Sequence, residues 1–170
     1  MTDFTIDIFN FIGFNVPYIL LIINSFLLLK QTKYLLLYWV FWGFDYLIIG
    51  ILKDWIRQPR PSGFLDKENY DGGVYSKIKN SSMYYGMPSG HAGLSFYSTL
   101  FIWFVNKSTS IFIMEFTLCF ITLYHRFIYR KHTLEQLFAG ALLGSSIALF
   151  AYKVGNNRFP YNISFKGKYL

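Results

Sequence analysis

Five apolar runs divide this chain, and they constrain its fold more than any other feature. The first covers about 16–29, with an alternative start nearer Phe9; the second runs from Tyr34 to Leu52; the third from Gly90 to Val105; the fourth from Ile111 to about Tyr124; the fifth from about Leu134 to Val154. Crossing the hydrocarbon of a bilayer takes roughly 17–25 helical residues, and the first and fourth runs sit at the short end of that range. Inside lipid the backbone must satisfy its own hydrogen bonds, which leaves helices as the reading and excludes an open sheet. The second run contains Asp45 and alone would suit a buried helix of a soluble protein. Five such runs in 170 residues leave too little polar sequence to cover a soluble core. The expected architecture is an all-α, polytopic integral membrane helical bundle of about five transmembrane helices, a single domain over 1–170.

The chain is 54% hydrophobic and only 15% charged, where soluble domains carry about a quarter charged residues. A net charge of +7 would suggest nucleic acid in a soluble protein. Here the bases lie at the ends of apolar runs and in one loop, and no basic stripe is interleaved with stacking aromatics. Membrane lipids with anionic headgroups, or a phosphorylated lipid, are therefore the expected partners, and nucleic acid is not; no protein partner is indicated. The only cysteine, Cys119, lies within an apolar run, so neither an intrachain disulfide nor a cysteine metal site can form. Asp3 and Asp7 give the N-terminus the wrong charge for a cleaved signal peptide, so the first span is expected to be retained.

The connections are unequal. Lys30–Lys33 and Asn106–Ser110 read as tight turns, whereas Lys53–Ser89 is long and rich in Gly, Pro, Asp, Asn, Ser and Tyr. A loop that long in a small protein is usually functional. Five spans put the N-terminus, the long loop and the 125–133 connection on one face. Once Lys53, Arg60 and Arg126 are set aside as site residues, the basic bias slightly favours a cytoplasmic C-terminus, with the long loop on the lumenal or extracytoplasmic side. The sequons at Asn80, Asn106 and Asn162 fall on both faces and do not decide orientation.

Three clusters share the long-loop face. In the first, Pro59 and Pro61 push Gln58 and Arg60 out of helical geometry, so the second helix should stop by about Ile56 or Arg57. Lys53 then sits in its last turn and Arg60 on the extended exit. Arg offers a planar fork to two phosphate oxygens and Lys a mobile point charge. Alone, the pair also reads as a basic helix end among headgroups. In the second cluster, Ser89 is placed to cap the third helix, and the N–H groups of Gly90 and His91 lack intrahelical partners, which makes an anion site with the helix dipole behind it. His91 is placed to give a proton to a leaving oxygen, although an ordinary Ser-capped helix with an interfacial His has the same sequence. In the third, Arg126 can clamp phosphate and His132 can attack phosphorus to give a phosphohistidine. Gln136 either orients the His132 ring or closes a capping box with Thr133. Together, these residues fit phosphoryl transfer by positioning and charge stabilisation.

The motifs Lys53-x6-Arg60-Pro61, Pro88-Ser89-Gly90-His91 and Arg126-x5-His132 resemble, in order and spacing, those of the membrane branch of the type-2 phosphatidate phosphatase superfamily. They occupy the motif-bearing region 53–136. The texts Gly86-Met87-Pro88-Ser89-Gly90-His91 and His132-Thr133-x-x-Gln136 look closest to the dolichyl-diphosphatase subgroup. The resemblance implies a metal-independent hydrolase acting on a lipid phosphate or diphosphate without a cofactor. It implies phosphate held by Lys53, Arg60, Ser89, Gly90 and Arg126, with His91 as general acid and His132 as nucleophile. Phosphatidate or sphingoid-phosphate hydrolysis, and a catalytically silent lipid-phosphate binder or transporter, are the alternatives. Two departures stand out: His125 replaces the usual Ser before the third-motif Arg, and Gln136 replaces the usual acid. The superfamily often has six spans, and here the one before the first is not found.

Four features fall outside those motifs. Asp45 lies eight residues before Lys53, about 12 Å along a helix, and is expected to bond to a neighbouring helix. Glu115 is expected at the opposite interface. His125 either adjoins the site or is interfacial. Tyr84, Tyr85, Phe96 and Tyr97 either pack on a lipid tail or form the interfacial aromatic belt.

Overall fold

The computed structural model describes residues 3–61 and 85–158. Among them the chain forms five helices: α1 (Asp3–Leu27), α2 (Thr32–Ile56), α3 (Gly90–Asn106), α4 (Thr109–Ile128) and α5 (Leu134–Arg158). Four contain stretches long and apolar enough to cross a membrane: Ile6–Leu27, Thr32–Ile56, Thr109–Ile128 and Leu134–Asn156. The protein is therefore an all-α integral membrane bundle. α1 and α4 are longer than their apolar runs, because polar residues such as Asn10 and Asn15 continue the helix and Pro17 is accommodated inside it.

α3 differs from the other four. It has 17 residues, about 25 Å of helix, and it packs on α1, α2, α4 and α5. Its polar Ser95, Ser98 and Thr99 are buried against protein rather than lipid. It is the axis of the bundle, which is why its sequence carries Gly, Ser, Thr and Tyr instead of a continuous apolar run.

Small residues set the spacing around that axis. A Cβ on Gly140 would run into the Ser89 carbonyl, and a Cβ on Gly144 into the Gly93 carbonyl. This small-xxx-small pair brings the α3 and α5 backbones into direct contact, as such pairs do in membranes. The two helices run parallel, and both begin at the long-loop face. Lower down, Tyr38 stacks on Tyr97 with ring centroids 5.7 Å apart. The Tyr38 hydroxyl donates to Ser98 Oγ at 2.9 Å, and the Tyr97 hydroxyl to the Tyr38 carbonyl at 3.0 Å. Tyr97 is thus a core residue and belongs neither to an interfacial belt nor to a lipid-facing surface.

The two buried acids also depart from expectation. Glu115 is fully buried, not interfacial, because α4 presents it to α1 and α3 rather than to the membrane edge. Asp45 is buried at the α2–α3 contact beside Gly93. Neither of its carboxyl oxygens has a hydrogen-bond partner among the described residues, so the expected bond to a neighbouring helix is not formed.

Candidate active site

The two ends of the long connection are joined at the backbone. Pro59 and Tyr85 form an isolated antiparallel bridge, and the Gly86 N–H donates to the Gln58 carbonyl at 2.8 Å. α2 ends as its prolines require, with Arg57 in the left-handed region (φ 52°) and its N–H on the Lys53 carbonyl. The exit of α2 and the approach to α3 thereby form one small platform over the helix ends. Residues 62–84, which include Tyr84 and Asn80, lie outside the described residues.

Lys53, Arg60 and His132 gather at this platform. Lys53, nearly buried, donates to the Tyr85 carbonyl at 2.7 Å. Arg60 Nη1 donates to the Lys131 carbonyl at 2.8 Å and reaches His132 Nε2 at 3.3 Å. His132 Nδ1 lies 2.9 Å from the Gly86 carbonyl and 3.3 Å from Gln136 Oε1. A carbonyl can only accept and a guanidinium can only donate. The ring therefore carries its hydrogen on Nδ1 and turns the Nε2 lone pair toward Arg60.

Gln136 performs both of the roles open to it. Its Oε1 accepts from the Thr133 N–H at 3.2 Å and its own N–H reaches Thr133 Oγ1 at 3.3 Å, which closes the capping box. Its Nε2 donates to the Gln58 side-chain oxygen at 3.0 Å and to the Pro59 carbonyl at 2.9 Å. A carboxylate could not make those two donations. The surroundings of Gln136 thus account for an amide at a position where the resemblance leads one to expect an acid. The shortest contact of His132 Nδ1 goes to the Gly86 carbonyl, a partner that sequence reasoning missed. Its one signal was the glycine itself, since a Cβ there would overlap the Gln136 amide.

At the second motif, Ser89 sits at the N-cap with φ −72° and ψ 120°, but its hydroxyl makes no capping bond. Its backbone does the anchoring: its N–H donates to the Gln136 carbonyl at 3.0 Å and its carbonyl accepts from Gly93 at 3.0 Å. Ser89 Oγ is buried and has no hydrogen-bond partner among the described residues. Gly90 opens α3, and His91 Nε2 lies 3.0 Å from the Phe14 carbonyl, with its ring 5.4 Å from that of Phe14. Arg126, 2% exposed, lies over the same aromatic ring, with its guanidinium 5.8 Å from the centre of Phe14. His125 is buried instead against α1, between Phe9 and Tyr129.

The electrostatics tie these groups together. Burial, then the positive charges of Arg60, Arg126, Lys53 and His91, hold the pKa of His132 well below the usual histidine range. Four cationic or potentially cationic groups from all three motifs thus act on one neutral imidazole. Among the described residues, no three of His, Cys, Asp and Glu are grouped to hold a metal ion.

The fold defines an integral membrane helical bundle with positive charge gathered where its helices end at one face. The family model of the PAP2 superfamily matches residues 33–160, most of the chain, and the protein belongs to that superfamily. Its members are phosphatases, which makes hydrolysis of a phosphate compound the activity class. No curated protein and no solved structure matches the chain.

Proposed function

We propose that the protein hydrolyses a polyprenyl diphosphate of the dolichyl type, or a closely related lipid phosphate, through a phosphohistidine at His132. The observation that carries this reading is the state of the His132 ring: Nδ1 held by the Gly86 carbonyl, Nε2 unprotonated and surrounded by positive charge. The dianionic phosphate matches the positive charge of this cluster, and its arrival draws Arg60 from Nε2 onto the phosphate oxygens. Arg126 and Lys53 share that load with Arg60, and the Gly90 N–H and Ser89 hydroxyl add neutral donors at the α3 N-terminus.

In the chemical step, Nε2 forms a bond to the terminal phosphorus while that phosphorus breaks its bond to the bridging oxygen of the diphosphate, whose lipid monophosphate leaves, or to the lipid oxygen of a monophosphate, whose alcohol leaves. His91 gives the leaving oxygen a proton; with Nε2 anchored to the Phe14 carbonyl, Nδ1 is the nitrogen that carries it. Water then attacks the phosphohistidine, His91 takes a proton from that water, and inorganic phosphate leaves with Nε2 restored. No step calls on a metal ion. The subgroup texts around Gly86 and Gln136 favour a diphosphate with a prenyl tail over phosphatidate or sphingoid phosphate. The residual basic asymmetry favours an active site on the lumenal or extracytoplasmic face.

Phosphate release from purified protein, measured over polyprenyl diphosphate, polyprenyl phosphate, phosphatidate and sphingoid phosphate, tests the reading. Turnover is expected on the prenyl substrates and lost in His132→Ala. Turnover confined to glycerolipid removes the prenyl assignment. Equal, negligible release from wild type and variant removes the enzyme and leaves a lipid-phosphate binder.

A further inference from the structure

Helix α5 carries two adjacent stripes. Gly140 and Gly144 close onto α3. Leu137, Ala141 and Ser145, each four residues apart, line a cavity on the flank toward α4. The α4 side of that cavity is Phe120, Leu123, Tyr124 and Phe127, again at helical spacing, and Phe96 of α3 lies between. α4 and α5 are consecutive and both pack on the axis, yet they barely pack on each other. The gap between them measures about 620 Å³, within the roughly 300–1,000 Å³ of ligand pockets. Its one polar side chain apart from the Tyr124 hydroxyl, Ser145, turns its hydroxyl back onto the Ala141 carbonyl at 2.6 Å, so the α5 wall stays apolar.

One end of this cavity's lining adjoins the catalytic residues along the chain. Phe127 directly follows Arg126, and Leu134 comes two residues after His132. From Leu134 to Ser145 is eleven helical residues, about 16 Å, roughly half the hydrocarbon thickness. The end of the groove at Phe127 and Leu134 therefore belongs to the helix ends that carry Arg126 and follow His132, and its lining is apolar and open toward the bilayer. A molecule with an anionic head and a hydrocarbon tail matches both ends.

We propose that the α4–α5 groove holds the first part of the substrate's hydrocarbon tail while its phosphate docks at His132. The proposal rests on the function argued above and adds where the lipid enters and which residues select it. A chain longer than the groove continues past Ser145 into the membrane, so the groove reads the segment next to the phosphate and not the total length. Acyl and prenyl tails share this chemistry, and the test separates them.

The test uses acyl and prenyl phosphates that carry a photoreactive diazirine within the first part of the tail, irradiated with full-length protein in lipid nanodiscs. His132→Ala is used alongside wild type, so labelling does not depend on turnover. Adducts are expected on Phe120, Phe138 and Leu142. Excess unlabelled lipid phosphate should remove them, and the matching lipid alcohol should not. The tail class that labels more strongly is the one selected. Adducts spread over the lipid-facing surface of α2, or removed equally by the alcohol, overturn the proposal by showing bulk lipid. Labelling that persists in a protein releasing no phosphate from any lipid leaves the groove standing and removes the hydrolase. Independently, Ala141→Phe and Ser145→Phe narrow the groove. KM for the long-tailed substrate should rise about tenfold relative to KM for phenyl phosphate, and an equal change on both substrates counts against the groove.

Discussion

The two flanks of α5 begin as similar helical surfaces and end with opposite properties. Toward α3, Gly140 and Gly144 let backbones touch, and the N-termini of both helices are bonded through the Ser89 N–H and the Gln136 carbonyl. Toward α4, the positions one residue further on, Ala141 and Ser145, leave a groove. The closed flank fixes the distance between the His91 and His132 elements within the tolerance that phosphoryl transfer requires. The open flank leaves room beside the same site. A one-residue rotation around the helix separates the part of α5 that sets geometry from the part that admits a ligand.

Removing the group at the head of both flanks should have the largest effect. His132→Ala is expected to lower phosphate release on the order of 10⁴-fold or more, with the detergent-solubilised protein keeping its gel-filtration profile and helical circular dichroism. Next comes a matched pair of substitutions on the two flanks. Gly140→Leu drives side-chain atoms into the Ser89 carbonyl and should cost about 1–3 kcal/mol of stability, along with most activity on every substrate. Ala141→Leu adds bulk one residue away and should leave the unfolding midpoint nearly unchanged. Equal destabilisation by both would show that the flanks do not differ.

Gln136→Glu probes the bond network beneath His132. The new carboxylate would face the Gln58 side-chain oxygen and the Pro59 carbonyl, both acceptors of Gln136 Nε2. Left unsatisfied, such a group costs roughly 1–3 kcal/mol. The substitution that restores the commoner superfamily residue should therefore lower stability and activity, and more so as pH rises and the acid ionises. An improvement would mean that the amide is not fitted to its surroundings.

The smallest effect is on pH dependence. An unfolded His132 protonates near pH 6.5, whereas the folded ring does so well below that. Between those values the unfolded chain holds the extra proton. The stability contribution is therefore complete above about pH 6.5 and is lost as pH falls through the folded pKa. The same shift keeps Nε2 unprotonated, so the acid limb of kcat/KM set by His132 should lie below pH 6.5. A limb at or above 6.5, or a pH dependence of unfolding that is identical in His132→Gln, would contradict the depressed basicity.

The number, order and approximate position of the helices could be read from hydropathy because lipid imposes one length and one backbone geometry on every span. The three motifs were legible for a different reason: Arg, Lys and His at helix ends point to few other chemistries, and their order resembles a known family. Close approach left a weaker trace. Gly140 and Gly144 sit inside an apolar run where nothing local distinguishes a packing glycine from a filler. The Gly86 carbonyl that orients His132 is a backbone atom and has no sequence signature. Glu115 was misplaced because distance along a helix gives depth in the membrane and leaves open which neighbour the residue faces. Ser89 has the sequence of a cap, yet its hydroxyl is left over because its backbone is held by Gln136 and Gly93.

The bridge between Pro59 and Tyr85, with the Gly86–Gln58 bond beside it, has a consequence for how such a protein can diversify. Because the stems are locked together at the platform, chain inserted or removed between them changes only a loop whose ends are already fixed, at an entropic cost that grows slowly with length. The length of chain between the two stems can therefore change at modest cost while the imidazole and the guanidinium at the platform keep their register.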